Sequence, residues 1–271
     1  GSLFTAEFGD EDEDDFRYKM EFNGYLLSLR LKKENLPKGY PFNIPCLKSF
    51  EELAFHPNVT FFTGENGVGK STLTEAIAVA LGFNAEGGGK NFNFRSSETH
   101  SVLHNFLQIT KSFKHFKDGY FLRGESFYNV ATQINVYDTD EPGEASSPPI
   151  IDSYGGVSLH EISHGESFWA LFMNRFGGNG VYILDEPESA LSATKQIAML
   201  AKLNKLVNKN AQFIIATHSP ILLAYPNAWI YELSKQSITK VKYEESEVYR
   251  VYKSFLDNPS RILDDIFTSN T

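Results

Sequence analysis

The sequence predicts an α/β fold with a mainly parallel β-sheet covered on both faces. Three observations carry this: apolar, β-rich runs alternate with stretches of helical spacing, the runs at 181–184 and 212–216 read as buried strands, and the run at 59–63 ends in a glycine-rich turn that opens a helix. Residues 25–33 alternate apolar and polar, the period of a half-buried strand. Residues 59–63 form the next strand and 71–81 a helix, with Gly82 placed as its C-terminal cap. A loop is expected around Gly87-Gly88-Gly89, a helical stretch near 101–110 and a strand at 119–123. Residues 139–156, rich in Pro, Gly, Ser and acid, read as a surface loop. Then come a helix at 163–176 with Phe168, Trp169, Phe172 and Phe176 on one face, strand 181–184, helix 194–207 and strand 212–216. The chain closes with a hairpin over 229–243 and helices after Ser246 and Asn258. There is no internal repeat.

The 271 residues, 41% hydrophobic and 22% charged, are ordinary globular composition and allow one large or two small domains; we expect one, spanning 1–271, with a mobile acidic N-terminus over 1–20. No apolar run approaches the ~18 residues that span a bilayer. The N-terminus carries Asp10-Glu11-Asp12-Glu13-Asp14-Asp15 in place of a basic and apolar leader, so no secretory signal is expected and the expected location is the cytoplasm. Gly1-Ser2 reads as a cloning remnant. Six adjacent carboxylates repel one another and are expected to be solvated, with contact to a basic partner as the alternative. Cys46 is the only cysteine, which excludes an intramolecular disulfide and a multi-cysteine zinc site. The net charge of −9 disfavours bulk attraction to nucleic acid or anionic lipid, though a local basic patch still allows either.

The chemistry concentrates at Gly64-Glu65-Asn66-Gly67-Val68-Gly69-Lys70-Ser71, which fits G-x-x-x-x-G-K-[ST] and is followed by Thr72. Its glycines let the backbone turn tightly and present amide N–H groups to phosphate oxygens, and the helix opening at Lys70 adds its positive dipole end. Lys70 would reach the β- and γ-phosphates and Ser71 would supply a hydroxyl to Mg²⁺. The bland alternative is a structural glycine turn. Asp185-Glu186 directly follows strand 181–184, where the strand ends of an open α/β sheet line the ligand crevice. Asp185 would hold Mg²⁺ through water and Glu186 would orient and deprotonate the attacking water. Alone, such a pair is equally a solvated turn.

These residues resemble a known superfamily. Ser163-His164-Gly165-Glu166-Ser167 resembles the signature motif of ABC-type ATPases, Asp185-Glu186-Pro187 the end of their Walker B strand, Ser189-Ala190-Leu191-Ser192 their D-loop, and Thr217-His218-Ser219-Pro220 their histidine switch. In order and rough spacing the motifs match over about residues 25–233. The phrases GENGVGKSTLTEAIAVALGFN, SHGESF, LDEPESALS and ATHSPILLAYP are similar to those of short, stand-alone bacterial ATPases of this superfamily, described as AAA-family. The resemblance implies a P-loop NTPase of ABC-ATPase type, with a mainly parallel sheet core, an antiparallel β sub-region and a small helical sub-region over about 126–176. It implies ATP and Mg²⁺ as cofactors, His218 at the γ-phosphate, and Ser163, Gly165, Glu166 and Ser192 acting in trans on a second copy's nucleotide. Ser163 and Glu166 also fit a capping box at the start of their helix. One copy of each motif means that two complete sites need two chains, hence a head-to-tail homodimer on ATP binding. By position, the superfamily's Mg²⁺-sensing glutamine falls at Glu125, a departure that leaves a structural carboxylate as the alternative. Tyr40 and Phe42 are candidates for stacking on adenine, with a core role as the alternative. Only about 40 residues separate strand 119–123 from Ser163, too few for the coiled-coil arm of repair and chromosome proteins in this superfamily.

Other readings stay open on the sequence. His160-Glu161-Ile162-Ser163-His164 matches the zinc-protease pattern H-E-x-x-H, with Glu186 downstream as a third ligand, but Gly165 and the capping box argue against one continuous helix. A P-loop kinase would leave the SHGES and THS elements without a role. A third reading is a non-catalytic dimerisation switch with slow turnover, against which stand Glu186 and His218. Lys111, Lys114, His115 and Lys117 interleave with Phe113, Phe116 and Tyr120, a mixture suited to nucleic acid or to a solvated loop with inward aromatics. His100 and His104 are expected to face core or solvent. Candidate partners are DNA, a nuclease or other effector subunit and, less favoured, a membrane subunit.

Overall fold

The structure, a computed structural model, describes residues 24–83, 88–89, 102–124 and 164–269. Its centre is a seven-stranded sheet in the order β10-β9-β3-β8-β7-β6-β4. The strands are β3 (Val59–Gly64), β4 (Gly88–Gly89), β6 (Asp118–Arg123), β7 (Gly180–Asp185), β8 (Gln212–Ala216), β9 (Trp229–Leu233) and β10 (Ile238–Val241). The five from β9 to β6 run parallel, and β10 and β4 are antiparallel edges. Every residue of β7 and β8 is buried, as expected of parallel strands covered on both faces.

The two faces are covered by different elements. Phe62, Phe121, Ile183 and Ile214 pack on one side with Leu73 and Ile77 of helix α2 (Lys70–Ala80). On the other side Phe61, Tyr182, Phe213 and Ile215 meet α3 (His164–Arg175), through Phe168, Leu171 and Phe172, and α4 (Ala193–Val207), through Met199, Leu203 and Leu206. Trp169 is only partly buried, with Lys195 Nζ 4.5 Å from its ring centre.

A second, antiparallel sheet has the order β2-β1-β5, from β1 (Leu26–Leu31), β2 (Glu52–Ala54) and β5 (Leu107–Lys111), with the short helix α1 (Pro45–Ser49) between β1 and β2. Gln212, fully buried on β8, joins the sheets: its Nε2 donates to Leu26 O (2.9 Å) and His56 O (3.1 Å), and its Oε1 accepts from the amides of Tyr25 and Leu26, both at 2.9 Å. All four hydrogen-bonding positions of this buried amide are filled.

The expected helix near 101–110 is corrected. Only Val102–Phe106 turns, as a 3₁₀ segment, and 107–111 is a strand pairing with β1. Backbone groups that a helix would have satisfied locally are satisfied instead by the open edge of β1. Gly88–Gly89, expected in a loop, pairs with Phe121 and Tyr120. The terminal helices are α5 (Glu247–Asp257) and α6 (Pro259–Ser269). Among the described residues no helix is long and apolar enough to cross a membrane. The acidic run 10–15, the loop at 139–156, His100, Glu125, His160, Glu161 and Ser163 lie outside the described residues.

Candidate nucleotide site

The phosphate loop leaves the C-terminal end of β3 and enters α2. Gly64 has φ +145°, and a Cβ there would lie 2.2 Å from the Leu233 carbonyl oxygen, so only glycine lets β3 end flush against β9. Gly69 precedes α2 with φ +114° and gives it no side-chain cap, which leaves the helix N-terminus open for an anion. Glu65, Asn66 and Gly67 are exposed, whereas Val68 is buried and its carbonyl accepts the Cys46 thiol at 2.9 Å. The loop therefore offers backbone amides, and its one apolar side chain anchors it to the core. Lys70 Nζ folds across the loop to Gly64 O (2.6 Å) and Glu65 O (3.2 Å). Burial pushes the Lys70 pKa down, and Glu186, Asp185 and Glu188 pull it back up. The mouth of the loop opens on a cavity of about 290 Å³ that also borders His218 and α5.

The acidic pair sits where expected, at the end of β7. Ser71 Oγ donates to Asp185 Oδ1 at 3.1 Å, joining residues 114 apart in sequence. Burial pushes the Asp185 carboxyl up to about 6, against the lowering effects of Arg123 and the Ser71 hydroxyl. Glu186 takes the left-handed conformation (φ +49°) and its amide donates to Ala216 O at 2.8 Å, which swings its side chain off the strand. Its Oε1 lies 3.9 Å from His218 Nδ1. Gly124 is pressed against this bend: a Cβ there would meet Glu186 O at 2.3 Å and Ser189 Oγ at 2.2 Å. The Ser71 hydroxyl and the Asp185 carboxylate are hard oxygen donors on one spot beside the loop. They fit Mg²⁺, which keeps most of its remaining ligands as water and phosphate.

Of the residues expected to act in trans, Gly165 and Glu166 lie in the first turn of α3. Ser192 is exposed and caps α4, its hydroxyl accepting from the Lys195 amide at 3.2 Å. His164, proposed for zinc, is the first residue of α3. Of the stacking candidates, Phe42 takes the core alternative: it is 4% exposed and packs edge-to-face on Phe106 at 5.1 Å. Tyr40 is 70% exposed, with its hydroxyl 3.0 Å from Thr72 Oγ1. In the basic tract Phe113 is exposed, while Phe116 packs on Tyr25 and Phe83.

Two site residues escaped the sequence reading. Glu188 Oε1 accepts the His218 amide at 2.9 Å and stands 3.8 Å from Nδ1 of the same histidine. Its Oε2 is buried without a hydrogen-bond partner among the described residues. Arg123, at the end of β6, pairs with Glu75 and lies 3.6 Å from Asp185 Oδ2. A signal for it existed: strands 119–123 and 181–184 aligned in parallel place residue 123 beside residue 185.

Residues 42–167, a little under half of the chain, match the family described as AAA domain. No curated protein matches the sequence. Among solved structures the chain is similar to cbiO1 from Clostridium perfringens, part of the ABC transporter complex cbiONQ, with 16% identity and a TM-score of 0.46 over 88% of this chain and 97% of that one. It is also similar to the SMC head domain from Thermotoga maritima, with 16% identity and a TM-score of 0.39 over 80% and 99%. UvrA2 from Deinococcus radiodurans matches with 14% identity and a TM-score of 0.43, over 77% of this chain and 35% of that one. Likenesses this distant say nothing of what the chain acts on. The glycine-rich loop lies inside the matched segment, and the parallel sheet presents it beside an acidic strand end.

Proposed function

We propose that the protein is a switch that binds MgATP, closes head-to-tail with a second copy and reopens on hydrolysis. The observation that carries this is the meeting of Ser71 and Asp185 at 3.1 Å, with Glu186 and His218 3.9 Å apart beside the same uncapped helix. The loop amides of residues 64–69 and Lys70 hold the phosphates, and Thr72 follows them into α2. Ser71 and Asp185 hold Mg²⁺, which when bound neutralises charge on the transferring phosphoryl group. Glu186 orients the attacking water and accepts its proton, and His218 contacts the γ-phosphate. Ser163, Gly165, Glu166 and Ser192 of a second copy complete each pocket. Glu125 remains a proposed metal contact. Placing complementary charge around the phosphoryl group is nearly all the catalysis this reaction needs.

Glu186→Gln should bind MgATP without turnover, and light scattering should then give twice the monomer mass. A strict monomer at micromolar concentration with MgATP would overturn the proposal.

The charge distribution favours a nucleic acid as the partner of this cycle. In a chain of net charge −9, Arg30, Lys32, Lys33, Lys38 and Lys48 outnumber Glu34 and Glu51 in the lining of two adjoining concavities of about 620 and 360 Å³ that meet at Lys33, with Arg30 paired to Glu52 at 3.0 Å. Exposed Lys111, Lys114 and Lys117 extend the basic character of this lobe beyond β5. Neutralising phosphates with such groups makes binding fall steeply with salt. Anisotropy with a labelled single-stranded DNA should show that slope, weakened in a Lys32/Lys33/Lys38→Ala and in a Lys111/Lys114/Lys117→Ala variant. Salt-independent binding, or binding unchanged in both variants, would count against this partner.

A further inference from the structure

We propose that Arg123 is the positioning residue of the metal site: it holds one oxygen of Asp185 so that the other faces Ser71 and Mg²⁺, and Glu75 braces it from behind. The inference rests on the reading of Ser71 and Asp185 as the metal site.

The arrangement begins with strand register. β6 and β7 run parallel with Arg123 directly opposite Asp185, so the guanidinium and the carboxylate leave neighbouring strand ends. The carboxylate is divided between two partners, with Oδ1 accepting from Ser71 and Oδ2 lying 3.6 Å from Arg123 Nε. The other arm of the guanidinium pairs with Glu75, on α2 one turn beyond Ser71. The guanidinium also lies 5.1 Å from the centre of the Phe121 ring, which limits its movement. Side-chain exposure is only 21% for Arg123, 18% for Glu75 and 8% for Asp185.

Arg123 Nε is buried and has no hydrogen-bond partner among the described residues. At 3.6 Å it is too far from Oδ2 for a hydrogen bond, yet no other described residue claims its proton. A buried donor left unpaired is costly, so this one is poised for an acceptor, and the acceptor beside it is the carboxylate oxygen not turned toward Ser71. A pair serving stability alone would close as a two-pronged Arg–carboxylate fork. Here the tight contact goes to Glu75, and Asp185 is left with one oxygen for the site. Lysine would keep the charge but could not reach Glu75 and Asp185 together.

The test is equilibrium binding of a fluorescent ATP analogue, with Mg²⁺ titrated at fixed nucleotide and the titration repeated in EDTA. Arg123→Gln and Arg123→Lys should each raise the Mg²⁺ concentration at half-saturation about tenfold, as outer-shell partners of metal ligands do. Binding in EDTA should stay within about twofold, and Glu75→Gln should move the Mg²⁺ midpoint in the same direction by less. Should Arg123→Gln fail to fold, Arg123→Lys and Glu75→Gln decide the matter. Half-saturation unchanged in those variants, equal loss of binding in EDTA, or a lysine variant that behaves as wild type would each overturn the proposal. Ser71→Ala separates the two readings. If it shifts the Mg²⁺ midpoint and the Arg123 variants do not, only the role of Arg123 falls; if it shifts nothing, the metal site falls with it.

Discussion

At the strand ends that build the site, Asp185 and Arg123 are held by Ser71 and Glu75, whereas on α5 and α6 no residue is buried. Yet both regions are rich in apolar residues at regular spacing. β7 and β8 bury Ile183, Leu184, Phe213 and Ile215 completely; α5 and α6 leave Tyr252, Leu256, Ile266 and Phe267 at 49%, 68%, 50% and 65% exposure. The difference lies in what covers each element. The sheet has α2 on one face and α3 and α4 on the other, and rigid strand ends can hold carboxylates at fixed distances. α5 meets the rest of the molecule mainly along Val248, Tyr249 and the Ser246 cap, where Tyr249 packs on Tyr243 at 4.8 Å.

The comparison breaks first at the sheet. Phe213→Ala removes a fully buried ring between Tyr182 and the covering helices, and should lower unfolding free energy by about 3–5 kcal/mol in a denaturant titration. Equal loss from a surface ring would show that burial is not what separates the regions.

The next effect is electrostatic and belongs to the site alone. Asp185 has a folded pKa of about 6 against an ordinary value of 3.8, so between these values the folded state holds a proton that the unfolded state has released. Stability without ligand should therefore fall as pH rises through that window, by about 2–3 kcal/mol in total. Melting curves from pH 4 to pH 7 should show this slope in the wild type and not in Asp185→Asn. If Asp185 holds Mg²⁺ as proposed, the metal needs the ionised carboxylate, and MgATP binding should weaken below about pH 6, up to tenfold per pH unit.

The smallest effect sharpens the comparison from the other end. Phe267→Ala on α6 should change unfolding free energy by less than about 0.5 kcal/mol, measured beside Phe213→Ala. A loss of several kcal/mol there would mean that α6 is covered in solution.

How much was legible follows from the range of each interaction. Strands 59–63, 181–184 and 212–216 were readable because an apolar run bounded by glycine or a turn is a local signal. The phosphate loop was readable for the same reason, since its eight residues are contiguous. β5 was not, because residues 107–111 become a strand only through β1, some 80 positions earlier. Phe42 and Tyr40, two residues apart, could not be told apart until the fold sent one ring inward against Phe106 and left the other beside Thr72. Arg123 was overlooked because its meaning depends on which strand lies next to β6.

By itself the sequence determined the α/β class, the glycine-rich loop that opens α2 and the acidic residues at a strand end, since each is encoded in a few neighbouring residues whose conformational preferences act locally. Tertiary structure alone decided that Ser71 would touch Asp185 across 114 positions, that Arg123 would stand between Glu75 and that aspartate, and that His218 would meet Glu186 and Glu188. Those contacts arise from strand order and register in the packed sheet, which are set by burial of the whole core and have no local signature.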